Sequence, residues 1–382
     1  MRHRPILAAV AALALAGCSD LDPAGPEAAT DFTPAFASDQ ATPGAVYVLS
    51  NGAADNEVLM FARGADGSLG AAPTAYSTGG TGTGAGLGSQ GALTLSSDGR
   101  WLLAVNAGSD ELSVFRVGPH GPALTDRVAS GGDMPISVTA HGSRVYVLNA
   151  GGSGNISGFT LSPQGSLSAI AGSIRPLSGA GVGPAQVQFS PDGSVLVVTE
   201  KATNMILTYA VNGAGQAAAP VAHASEGMTP FGFTFAGRNT LVVSEAFGGA
   251  ADASATSSYI LSGGTLTPVS SSVGTTETAA CWAVATRNGL YAYVTNTGSG
   301  SVTGYALGRD GSLTLLDGDG VTGVTGPGSS PVDAAFSVND YLYVLNAAAH
   351  SISGFRVNSD GSLEPVDGAA GLPVGAVGIA AR

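Results

Sequence analysis

Seven times along the chain a short apolar run, mostly valine, leucine and tyrosine, ends on a single asparagine or glutamate. The first is Val46-Tyr-Val-Leu-Ser-Asn51, and the later ones close at Asn106, Asn149, Glu200, Glu245, Asn296 and Asn346. A short continuous run bounded by turn residues is the mark of a strand buried on both faces. The closing residues recur about every 49 positions, a spacing within the range of radial repeat folds. A second strand follows each run, beginning near Val58, Leu112, Ile156, Ile206, Ser258, Val302 and Ile352. Asp66-Gly67, Gln164-Gly165, Asp310-Gly311 and Asp360-Gly361 then mark hairpins in which glycine supplies a positive φ without a Cβ clash. The pattern predicts an all-β, seven-bladed propeller of four-stranded blades, each read from the channel outwards as strands A to D.

The expected A strands are 89–96, 135–140, 184–190, 230–236, 280–286, 331–337 and 374–380. Residue 45 opens directly on a B strand, so the first blade must take its A strand from the C-terminus, which closes the ring and leaves no sheet edge open. Short Asp-Gly turns such as Asp98-Gly99 and Asp192-Gly193 lie on one face, and the longer B–C and D–A connections lie on the other. Variable loops on a rigid scaffold are the expected place for function.

Composition narrows the partners. The chain carries a net charge of −13, and Lys201 is its sole lysine, which excludes a nucleic-acid partner and leaves no polybasic membrane patch. Arg2 and Arg4 precede an apolar run from Ile6 to Ala16, too short to span a bilayer, and Leu15-Ala16-Gly17-Cys18 follows. That tetrapeptide resembles the bacterial lipobox. The resemblance implies a signal peptide over 1–17, a lipid on Cys18 and, with Ser19 next, anchoring at the outer membrane of a bacterial cell envelope. Residues 18–43 then form a lipidated cysteine and flexible tether, and 44–382 the propeller, expected as a monomer. With Cys18 lipidated, Cys281 has no disulfide partner.

Candidate chemistry is sparse. Glu200 and Glu245 replace asparagine at the end of adjacent B strands, either as polar caps or as a pair of carboxylates on the loop face. Lys201, beside Glu200, offsets charge at the surface or stabilises an oxyanion. His223 and His350 are placed in D–A and B–C connections, from which both could approach the loop face. Cys281 and Trp282 open an A strand near the channel, as core residues or as a thiol and an aromatic wall for a ligand. Asp333 adds a carboxylate near the same face, and Asp317-Gly-Asp-Gly320 another two. No metal-ligand spacing is present, and no metal or cofactor is expected. Gly86-Leu-Gly88-Ser-Gln-Gly91 fits a dinucleotide fingerprint in letters only, because a strand follows it where a helix N-terminus would be needed.

The blade pattern Pro-Asp-Gly-x-x-Leu-x-Val, with Asp-Gly-Ser-Leu after the C strand, resembles the propeller lactonase family of 6-phosphogluconolactonases and carboxymuconate cyclases over about residues 45–382. That resemblance implies lactone hydrolysis in the mouth of the channel, with Glu200 matching a family glutamate as general base. Other family residues are replaced. His-Pro-His-Ser reads Met134-Pro135-Ile136-Ser137, Gly-Pro-Arg-His reads Gly183-Pro184-Ala185-Gln186, and Asn-Arg-Gly reads Asn296-Thr297-Gly298. The expectation is a lipid-anchored envelope propeller that binds a small molecule or protein on its loop face. The alternative is an active lactone hydrolase using Glu200, with Lys201 as electrophile.

Overall fold

The computed structural model describes residues 44–382. The expected signal peptide, the lipidated Cys18 and the tether lie outside the described residues. Among the described residues, seven antiparallel sheets of four or five strands are ordered A-B-C-D, giving seven blades. The B strands, Gly44–Leu49, Trp101–Asn106, Arg144–Asn149, Val195–Glu200, Thr240–Glu245, Tyr291–Asn296 and Tyr341–Asn346, are buried almost throughout, as their unbroken apolar runs require. In blades three and six the outer strand is split, into Leu167–Ala169 with Arg175–Pro176 and Leu313–Leu315 with Gly323–Val324.

The ring closes as its ends predict. Val377–Ala381 pairs antiparallel with Gly44–Leu49, setting Val46 against Ala381 and Val48 against Ile379. Beside this seam the buried Arg63 donates its Nε to the carbonyl of Arg382 at 3.1 Å.

Neighbouring blades are joined by apolar packing and by tyrosines. Tyr146, Tyr293 and Tyr343 each send a buried hydroxyl into the C–D turn of the next blade, to the carbonyls of Gly215, Gly361 and Gly67 at 2.7, 2.7 and 2.6 Å. The large ring fills the wedge between twisted sheets, and its hydroxyl satisfies a carbonyl that the packing has cut off from water.

Two features position the site. In blades three to seven, strand A carries a register shift just inside its loop-face end, between Pro135 and Ser137, Pro184 and Gln186, Pro230 and Phe233, Ala280 and Trp282, and Pro331 and Ala334. Such bulges turn a side chain out of the strand's alternation. Blade two differs from expectation: its A strand is only Leu93–Leu95, because residues 89–91 leave the ladder and bond to other blades.

Candidate functional site: a stoppered channel

The bulges form a ring around the loop-face mouth, and Ile136, Ala185, Phe231, Cys281 and Val332 stand at them. Residues 89–91 cross the centre of this ring. Ser89 Oγ donates to the Ile136 carbonyl at 2.8 Å, and Gln90 N to the Ala185 carbonyl at 3.0 Å. The Gln90 side chain reaches blade six, giving Nε2 to the Ala283 carbonyl at 2.8 Å and accepting the Ala283 N–H at 3.2 Å. Gly91 donates to Asp333 Oδ2 at 3.1 Å, and its carbonyl accepts from Val138 N at 2.8 Å. Trp282 Nε1 donates to the Ser89 carbonyl at 2.9 Å. One segment therefore bonds to blades three, four, six and seven at once and stoppers the channel. Gly232 is required here, since a Cβ on it would lie 2.2 Å from Gln90 Oε1.

Lys201 secures the approach to the stopper. Its Nζ donates to the Gly88 carbonyl at 2.5 Å and lies 4.4 Å from the centre of the Phe231 ring. Burial lowers its amine to about 8. Cys281, beside it, is pushed up to about 11 by burial, which the Thr297 hydroxyl and the Lys201 charge only partly offset. The thiol is a buried, protonated group, not an activated nucleophile.

Among the described residues, cavities lie around the stopper and its approach. On the loop face a pocket of about 240 Å³ is lined by Leu87, Trp282, Val332, Asp333, Ala376 and Val377, among others. A second, of about 280 Å³, lies between blades three and four and is bounded by Leu87, Met134, Leu177, Val182 and Lys201. The third is the channel itself, about 440 Å³, bounded on the loop side by Gln90 and Asp333 and reaching His141, Ser190 and Pro191 at the A–B turns of the opposite face. Its walls carry Thr94, Thr139, Gln186, Gln188 and Thr234 among apolar side chains.

The remaining expected site residues do not converge on one mouth. Glu200 and Glu245 are both fully buried and share no partner. Glu200 accepts Ser178 N at 2.9 Å, Ser178 Oγ at 2.5 Å and Thr203 Oγ1 at 2.8 Å. Glu245 accepts Gly227 N at 2.8 Å, Ser257 Oγ at 2.6 Å and Ser272 Oγ at 2.6 Å; burial nevertheless raises its carboxyl. The asparagines of other blades do equivalent work: Asn106, Asn296 and Asn346 donate Nδ2 to serine or threonine hydroxyls of their own C strands. The longer glutamate reaches connections that asparagine would leave unbonded.

His223 needs correcting. It lies within strand D of blade four, Val221–Ala224, paired with Ile206, and not in a D–A connection. Its Nε2 sits 3.0 Å from Thr208 Oγ1 and 3.1 Å from the Gly264 carbonyl, in the C–D turn of blade five, so it is held towards the turn face. His350 does occupy a B–C connection, with φ of 51°. Asp333 lies in strand A of blade seven, Pro331–Phe336, and borders both the channel and the smaller loop-face pocket. Among the described residues, no three His, Cys, Asp or Glu side chains come together as a metal shell. The stopper itself was not anticipated; its signal was Gln90, a lone amide among small residues at the start of an otherwise apolar A strand.

Comparison with known proteins accords with this architecture. The family described as Lactonase, 7-bladed beta-propeller matches residues 45–175. That stretch of the chain is similar to the propeller lactonase family. The periplasmic gluconolactonase of Pseudomonas aeruginosa superposes with a TM-score of 0.68 at 18% identity, covering 88% of this chain and 99% of that one. A protein from Lactobacillus plantarum gives 0.69 at 16% identity, with 88% and 99% covered. Virginiamycin B lyase from Staphylococcus aureus gives 0.53 at 13% identity, with 72% and 83% covered. Likeness at these identities is likeness of fold, and the two named activities on it differ. No curated protein sequence matches the chain. The positions at which the blade resemblance implies imidazole and guanidinium hold Met134, Ile136, Ala185 and Gln186. The carbonyls of Ile136 and Ala185 bond the stopper, and Gln186 brackets Phe233 with both ends of its amide.

Proposed function

We propose that this chain is a ligand-binding propeller of the bacterial cell envelope, anchored by lipid on Cys18, that takes a small, largely apolar molecule on its loop face without hydrolysing it. The observation that carries the binding reading is the pocket of about 240 Å³ formed where Trp282, Leu87 and Val377 meet above the stopper. Pockets of this kind, apolar with a few polar groups, are the usual form of a small-molecule site. Ring opening of a lactone needs a base that can reach water and a donor aimed at the developing oxyanion. Here the oxygens of Glu200 are engaged by Ser178 and Thr203, and the Lys201 amine is engaged by Gly88. The lactone-hydrolase alternative is therefore not favoured.

A thermal-shift screen of small metabolites tests the binding reading. The expected result is a ligand whose stabilisation disappears in Trp282→Ala while the variant keeps the wild-type circular dichroism. Turnover in a panel of neutral and anionic lactones, abolished by Glu200→Gln, would overturn it in favour of hydrolysis. The anchor is checked separately: fatty-acid labelling and membrane fractionation of Cys18→Ser cells should move the protein from the membrane to the soluble fraction.

A further inference from the structure

The channel on the opposite face carries an inference independent of the loop-face pocket. We infer that it is a receptor for an organic ammonium ligand, which enters from the A–B turn side and places its charged head on the Asp333 carboxylate.

Three observations support this. First, the channel has a built end: Gln90 and Asp333 bound it on the loop side, and the stopper is fixed by bonds to four blades. Second, Asp333 is only 3% exposed yet borders the cavity. Its Oδ2 accepts Gly91 N at 3.1 Å and its Oδ1 accepts Ala334 N at 2.9 Å. A carboxylate offers about four acceptor positions. The backbone N–H groups of Gly91, Ala334 and Ile379 act on Asp333, and no charged side chain does, so acceptor capacity remains for a ligand.

Third, the lining selects the sign of that ligand. Among the described residues, no lysine or arginine lines the channel, and His141 near the turns is the only titratable lining group besides Asp333. An anion would meet a carboxylate with no cation to offset it. A primary ammonium brings three donors and the opposite charge. The net charge of −13 draws such molecules towards the protein. Burial pushes the Asp333 carboxyl up to about 7, so an ammonium held there should be released as the pH falls below neutrality.

Isothermal titration of the full chain with 1,4-diaminobutane, against 1,4-butanediol as the uncharged control, tests the inference. The expected result at pH 8 is binding of the diamine alone, lost in Asp333→Asn, with affinity falling about tenfold from pH 8 to pH 6. A His141→Gln variant should keep that fall, since the fall belongs to Asp333. Failure of the diamine to bind, equal binding of the diol, or undiminished affinity in Asp333→Asn would each overturn it. Should Asp333→Asn not fold, the pH comparison on wild type and His141→Gln decides: a tenfold fall in both supports the site, and a flat profile in either refutes it.

Discussion

The side-chain amide of Gln90 and the backbone of Ala283 form a closed pair of hydrogen bonds across the channel, at 2.8 and 3.2 Å. Both partners are buried, so the pair ties blade two to blade six where water cannot substitute for either bond. This contact turns the open mouth expected of the fold into a blind channel.

Removing it should be costly. Gln90→Ala leaves the Ala283 N–H and carbonyl without their partner, and each buried unsatisfied group costs about 1–3 kcal/mol. Urea denaturation should show a loss of roughly 2–6 kcal/mol on that reckoning. A loss below about 0.5 kcal/mol, the usual range for a surface substitution, would show that the stopper does not hold the ring.

Asp333 should give the protein an unusual pH profile. Its folded carboxyl keeps its proton up to about 7, whereas an ordinary aspartate releases it near 3.8, so the folded state binds the proton more tightly. Stability from this group is present at low pH and is lost as pH rises from about 4 to 7, by at most on the order of 4 kcal/mol. Asp98 and Asp192, lowered chiefly by hydrogen bonds from Ser96 and Ser190, act in the opposite sense at lower pH. Chemical denaturation at pH 5 and pH 8 should therefore show a smaller loss between the two in Asp333→Asn than in wild type; identical differences would contradict the assignment.

The seam between blades seven and one is open to a direct test. Tyr343→Phe removes the 2.6 Å bond to the Gly67 carbonyl while keeping the ring, and should cost about 1–2 kcal/mol. Deleting residues 377–382 removes the whole closing strand and exposes a sheet edge, so the cooperative transition should disappear. A truncated chain that melts like the parent would rule out closure by this strand.

Glu245 separates shape from chemistry. Glu245→Ala strands the hydroxyls of Ser257 and Ser272 and the N–H of Gly227, and should destabilise the protein by about 2–4 kcal/mol. Glu245→Gln keeps one acceptor oxygen and carries no buried charge, so thermal denaturation should place it nearer wild type than Glu245→Ala. The reverse order would point to a role beyond packing.

Much of the fold could be read without coordinates. The period of the B strands fixed the blade number, and the missing first A strand required the C-terminal strand to close the ring. Glycines after aspartate or glutamine located the turns, where the structure shows positive φ, 84° at Gly67 and 86° at Gly361. These signals are local: period, alternation and φ belong to residues adjacent in the chain.

What the sequence could not decide was which side chains meet. In sequence, Asn and Glu at the B-strand ends read either as polar caps or as carboxylates on the loop face, and the fold turns Glu200 and Glu245 inward to their own connections. His223 reads as a loop residue and becomes part of a strand, because pairing with Ile206 extends the ladder. Gln90 and Asp333 are 243 positions apart, and only ring closure brings Gly91, next to Gln90, onto the Asp333 carboxylate. A radial fold sets residues from distant repeats around one axis, and whether they leave a mouth, a stopper or a blind channel depends on the size of every side chain there. That sum over long-range contacts exists only in the assembled ring.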